Sequence, residues 1–212
     1  MGGRGAKSVD NVIFYIDGLN LYNGLKKAKL RSYYWLDLEK LTNSLSIKNQ
    51  KILKIKYFTS MVSSSFDQLK FNRQQSYMKA LKTIKNLRIF FGRHQRSTIR
   101  CNNCKHIIKN FNEKMTDVNI ATEMLKDAFN NECNVQVLIS GDSDLIPICS
   151  TIRKLQNTTL IIYFPPKRQT DRMKKCCHSW YSIFIKNIKN SQFPNPVIDR
   201  NGNKIIKPAY WS

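Results

Sequence analysis

Apolar positions recur along the chain with two different periods, and the switches between them mark out a repeating strand–helix order. Val12-Ile13-Phe14-Tyr15-Ile16 is an unbroken apolar run closed by Asp17-Gly18, which predicts a buried strand running into a turn. Helical spacing follows over 19–30 and again over 36–45, and a second strand is predicted at 52–58. The segment 65–84 has the pattern of a long amphipathic helix, with Phe66, Leu69, Tyr77 and Leu81 available for one face. A third strand at 87–91 is closed by Gly92.

The rhythm breaks over 93–112, which is basic and carries Cys101 and Cys104. It resumes at Thr116-Asp117, residues suited to start a helix to about 129 with Val118, Ala121, Leu125 and Ala128 inward. The run 135–140, with Val135, Val137, Leu138 and Ile139, predicts a buried strand, as expected of a central one. Gly141-Asp142-Ser143-Asp144 closes it, and a helix is expected to about 155. A strand at 159–164 stops at Pro165-Pro166, and a helix around 169–177 and a short strand near 182–184 follow. The tail from Phe193 holds three of the six prolines and is expected to wrap as an extended segment.

Strands alternating with helices predict an α/β fold, a parallel sheet covered on both faces. In open sheets of this kind, ligands sit beyond the carboxyl ends of the strands. With 212 residues one full domain is expected. Its limits are placed at 12–190, with a disordered tail over 1–11 and a C-terminal extension over 191–212. No apolar run approaches the ~18–20 residues needed to span a bilayer, and the start does not have the form of a signal peptide. A cytoplasmic protein is therefore expected.

Charge narrows the function. Thirty-six Lys and Arg against 14 Asp and Glu give a formal net charge of +22. Residues 1–110 are net +17 and residues 151–212 net +10, whereas residues 111–150 are net −5. An acidic island thus interrupts a basic chain. The excess favours a polyanionic partner, and no basic amphipathic membrane helix stands out, so nucleic acid is the expected partner.

The acidic residues sit where the fold would place a site. Asp17 ends the first predicted strand, Asp142 and Asp144 follow the one at 135–140, and Asp117 opens a helix. Asn20 lies three residues past Asp17. Carboxylates converging on one sheet edge repel unless a cation neutralises them. Hard ions such as Mg²⁺ or Mn²⁺ prefer such oxygen donors, and they can polarise phosphoryl oxygens and acidify a bound water. An anionic pocket on a cationic surface suits a metal-dependent nuclease. Blander roles compete at single positions: Asp117 as a helix cap, Asp144 as a helix-dipole charge. Asp17 is harder to explain that way, since a carboxylate ending a buried apolar strand is costly unless paired or used.

Three segments carry a resemblance. Tyr15-Ile-Asp-Gly-Leu-Asn-Leu-Tyr22, Glu113-Lys-Met-Thr-Asp-Val-Asn-Ile-Ala121 and Ser140-Gly-Asp-Ser-Asp-Leu-Ile-Pro147 resemble, in order and spacing, the motifs of NYN domains, PIN-like nucleases of the LabA-like group. Phe164-Pro-Pro-Lys-Arg168 and the tail with Pro194, Pro196, Gly202 and Pro208-Ala-Tyr-Trp211 resemble further segments of that group. The resemblance implies a PIN-like Rossmannoid sheet and a Mg²⁺- or Mn²⁺-dependent ribonuclease site. Asp17, Asp117, Asp142 and Asp144 would be its metal-binding carboxylates. Asn20 would orient substrate or water, with Ser140 or Ser143 assisting.

The Cys101/Cys104 pair, which the resembling group often carries as a Cys-x-x-Cys hairpin, fits structural Zn²⁺, a metal-free hairpin or a redox pair. Zinc needs four ligands, and His94 and His106 are the nearest further candidates. Cys133 and Cys149 are expected to be buried small hydrophobes. Arg93, Arg96, Arg100, Lys114, Lys167 and Arg168 are candidates to grip phosphates. Tyr33, Tyr34 and Trp35 fit either the core or stacking on bases.

The resulting expectation is an endoribonuclease that hydrolyses single-stranded or structured RNA with a metal-activated water, without membrane association and with homo-oligomerisation left open. A non-catalytic RNA-binding or scaffolding module is the main rival. A phosphatase of the haloacid dehalogenase type is disfavoured, because Asp17-Gly18-Leu19 lacks the second Asp of Asp-x-Asp.

Overall fold

The computed structural model describes residues 9–65, 67–100, 103–104 and 107–211. Among them, six strands form one wholly parallel sheet: β1 (Asp10–Asp17), β2 (Gln50–Thr59), β3 (Leu87–Phe91), β6 (Val135–Ile139), β7 (Thr159–Phe164) and β8 (Ser179–Ser182). Two further strands, β4 (Arg93–Arg100) and β5 (Ile107–Lys114), pair with each other in antiparallel fashion. β1 begins two residues before the predicted run, where the Asp10 amide bonds to the Asn49 carbonyl and the Asn11 amide to Asn134 Oδ1.

Sheet order is β3-β2-β1-β6-β7-β8. From β1 the chain winds outward through β2 to β3, then returns to the centre and winds the other way from β6. The order therefore reverses between β1 and β6, the switch point at which open α/β sheets leave a crevice at their carboxyl edge. Val12 pairs with Val135 and Ile16 with Ile139 along this seam.

The two faces of β1 divide the core. Val12, Phe14 and Ile16 face a layer formed by α1 (Gly18–Lys27), α2 (Leu38–Leu45), α3 (Gln68–Leu81) and α7 (Ile185–Asn190). Ile13 and Tyr15 face α4 (Thr116–Phe129), α5 (Ile146–Arg153) and the short α6 (Asp171–Lys174). Cys133, Cys149, Cys176 and Cys177 are all buried in this second layer. Burial on both faces explains why the strands of the sheet's centre read as near-continuous apolar runs.

Several expectations shift. In α4 the buried stripe is Ile120, Met124, Asp127 and Ala128, while Val118 and Leu125 are exposed. The predicted inward face is rotated because the buried one includes the polar Asp127, held in an internal ion pair with Lys56. In α3, Leu69 is exposed, and Phe66 lies outside the described residues. The last strand of the parallel sheet is Ser179–Ser182, with Phe184 instead preceding α7, a short helix that buries Ile188 among flanking Lys and Asn residues. Trp35 and Tyr34 belong to the core. Trp35 donates to the Pro194 carbonyl at 3.1 Å and packs on Phe193 and Trp211. The C-terminal segment is less extended than expected: Val197–Ile198 (β9) and Lys204–Ile205 (β10) pair before a 3₁₀ turn at Ala209–Trp211.

Candidate active site

Asp17 is both the last residue of β1 and the N-cap of α1, so the strand delivers it to the carboxyl edge and the helix begins around it. It is buried, and its carboxylate accepts the Asn20 amide at 2.9 Å and the Ser140 hydroxyl at 2.8 Å. Ser140 follows the neighbouring central strand β6, and its oxygen also accepts the Asp142 amide at 3.0 Å. One hydroxyl thus ties the two halves of the sheet together between two acids. Asp142 caps the next turn by accepting the Asp144 amide at 3.1 Å.

Asp117 reaches the same place from the first turn of α4, a 14-residue helix whose positive dipole end favours a carboxylate there. Met115, just before that helix, holds φ at 77°, a left-handed value that turns the chain sharply from β5 into α4. Carboxylate oxygens of Asp17, Asp117 and Asp142 all lie within 4.8 Å of one another. Burial pushes the Asp17 carboxyl up to about 7, with Asp117 and Asp142 adding to the rise; the Asn20 amide and the Ser140 hydroxyl oppose it. Such a set is repulsive when ionised, and three hard oxygens at this spacing fit a divalent cation.

Asn20 supports the crevice floor. Its Oδ1 accepts the Gly141 amide at 2.9 Å and Arg168 Nε at 3.4 Å. Its Nδ2 is buried with no hydrogen-bond partner among the described residues, a donor left for a bound group. Gly141 is required by close approach: a Cβ there would lie 1.8 Å from the Arg168 carbonyl oxygen. That approach fixes the turn at 165–168, in which Arg168 N bonds back to the Pro165 carbonyl and Lys167 holds φ at 59°. The turn presents Arg168 to a cavity of about 180 Å³ that it lines with the three acids, Asn20 and Lys114.

The structure therefore brings together Asp17, Asn20, Asp117, Asp142, Lys114 and Arg168. Asp144 is exposed and stands outside the three-carboxylate group. Lys167 is exposed on the rim turn. Arg93 is exposed and pairs with Lys114 across the β4–β5 ribbon, whereas Arg96 and Arg100 lie progressively further along β4, Arg100 about 23 Å from Arg93 at ~3.3 Å per residue. Cys101 and His106 lie outside the described residues, and Cys104 is exposed. Asn23 and Thr116 also line the cavity, though neither was picked out from sequence. Asn23 follows Asn20 by three residues on one helix face, and that spacing was a usable signal.

The family described as NYN domain matches residues 11–185. A protein of Pseudomonas putida, 6-hydroxy-3-succinoylpyridine 3-monooxygenase HspA, is 24% identical over 93% of this chain and 74% of its own length. The crystal structure of a protein of unknown function from Vibrio parahaemolyticus superposes with a TM-score of 0.52 at 14% identity, covering 85% of this chain and 96% of that one. The last likeness concerns the fold alone.

Proposed function

The chain belongs to the NYN domain family, and from that premise we propose that it is a metal-dependent endoribonuclease. The observation that carries the proposal is the convergence of Asp17, Asp117 and Asp142 at the switch point of a chain whose net charge is +22. A phosphodiester backbone uses both features, the surface to collect it and the acids to cut it.

Asp17, Asp117 and Asp142 would hold Mg²⁺ or Mn²⁺. The ion supplies positive charge that polarises a phosphoryl oxygen and acidifies water. Ser140 keeps the Asp17 carboxylate oriented, and the Asn20 amide bond on Asp17 fixes its other oxygen. Arg168 and Lys114 stand on the rim where a scissile phosphate would enter, Arg168 steadied by Asn20. The Asn20 Nδ2, without a partner among the described residues, is a neutral donor in the floor available to a phosphate oxygen or a water.

The test is cleavage of a labelled RNA panel with Mn²⁺, Mg²⁺ or EDTA, comparing wild type with Asp142→Ala. Metal-dependent products from wild type, reduced at least 100-fold in the variant, are expected. Wild-type rates from Asp142→Ala would overturn the site. Binding by both proteins with products from neither would replace the nuclease by an RNA-binding module.

A further inference from the structure

A second, larger cavity of about 570 Å³ lies beside the acid pocket, within the ~300–1,000 Å³ of small-ligand sites. Leu19 lines both cavities, and Gly18, next to Asp17, lines the larger one. Gly18 is a close approach in its own right: a Cβ there would meet the Tyr57 ring at 2.5 Å, so only glycine lets that ring lie against the backbone beside the acids.

The walls are aromatic. Tyr22 meets Tyr34 at 59°, Tyr34 meets Trp211 at 75°, Tyr57 meets Tyr77 at 89° and Tyr77 meets Trp211 at 84°. These rings meet edge to face or tilted, unlike the parallel stack of Phe58 on Phe90 at 18° elsewhere in the core. The rim is cationic: Lys26, Lys70 and Arg73 face a single acid, Asp67, whose carboxylate is spent capping α3. Arg73 lies over the Tyr210 ring at 4.5 Å and Lys70 over Tyr22 at 6.0 Å. Arg31 lies over the same Tyr210 ring at 4.7 Å, so that ring holds guanidinium planes in place, and aromatic walls set beside such planes match the two halves of a nucleotide, a planar base and an anionic phosphate.

We propose that this cavity is a base-binding subsite, taking the nucleobase of an RNA nucleotide adjacent to the one cut, with Lys70 and Arg73 on its phosphate. The proposal rests on the nuclease reading of the acid pocket. It makes the enzyme select for an unpaired, extrudable base at one defined position, so single-stranded RNA is the substrate form it fits.

The experiment separates binding from cutting. In EDTA, an RNA dodecamer with one 2-aminopurine is titrated with wild type, Arg73→Ala and Tyr210→Ala, each first checked for an unchanged unfolding transition. Wild type should quench the probe at one position, and each variant should bind about 10-fold more weakly, the scale of one lost stacking or phosphate contact, with quenching lost. With Mn²⁺, both variants should lose about 10-fold in kcat/KM through KM, and an abasic site at the quenched position should cost wild type as much. Cleavage with equal KM in all three proteins and no quenching would overturn the subsite and leave the nuclease standing. Position-specific quenching without cleavage by any of them would support the base pocket while overturning the nuclease. Binding of a free hydroxypyridine that does not compete with RNA would overturn the subsite in favour of a small-molecule pocket.

Discussion

Asp17 concentrates the chemistry of the site in one side chain. Its folded-state carboxyl is raised to about 7 from the ordinary 3.8, so the metal-free native state binds a proton that the unfolded chain has already released. Stability attributable to this residue is therefore full below about pH 4, falls as pH rises towards 7 and levels off above it. Asp17→Asn should remove that fall, making the metal-free variant more stable than wild type at pH 8 but not at pH 4, as thermal unfolding in EDTA would record. Saturating Mn²⁺ at pH 8 should reverse the ranking, raising wild-type Tm by about 5–10 °C, the scale of ligand binding at ~100 times Kd, and leaving the variant unmoved. The importance of Asp17 was legible in sequence because an acid directly after five apolar residues is conspicuous. The role of Ser140 as the hydroxyl between Asp17 and Asp142 depends on strand pairing across 123 residues, which no local pattern reports.

Among the elements, α4 bears the greatest burden, since its first turn supplies Asp117 and its third is anchored to the sheet. Lys56 of β2 is buried and reaches Glu123 and Asp127 at 2.6 Å each, and the Tyr15 hydroxyl donates to Asp127 at 2.5 Å. Removing one partner of such a network strands the others in a poor dielectric. Lys56→Met should cost about 3–5 kcal/mol in urea unfolding, and Asp127→Asn in the same chain should recover part of it. The same ion pair explains why the α4 face was misjudged. Hydrophobic periodicity counts apolar positions, and here the buried stripe includes the polar Thr116 and Asp127, so the exposed Val118 and Leu125 mimic an inward face. By contrast β1, β6 and β7, apolar on both faces, were placed within two residues by their runs alone.

For the molecule as a whole, the strand–helix order sufficed for a parallel sheet with helices on both faces, whereas sheet order had no sequence signature of its own. The net charge of +22 governs encounter with substrate more than the fold. Lys114 and Arg168 at one cavity and Lys26, Lys70 and Arg73 at the other supply five cations, and at ~0.7 ions released per contact on a single strand the affinity for RNA should fall with a log–log salt slope of about −3.5. Filter binding in EDTA between 50 and 200 mM salt checks this, and a flat dependence would deny the basic surface its role. The seam between β1 and β6 has another consequence, in the order of assembly. Residues 10–91 can condense around β1, β2 and β3, and residues 116–182 around β6, β7 and β8, each through comparatively local crossovers. Asp17 then sits on one half, Asp117 and Asp142 on the other. Until the long loop between them closes, a step that chain entropy makes slow, neither half has three carboxylates to offer a cation. On the proposed function, partly folded chains would leave RNA uncut, and cleavage would arrive together with the last large piece of tertiary structure.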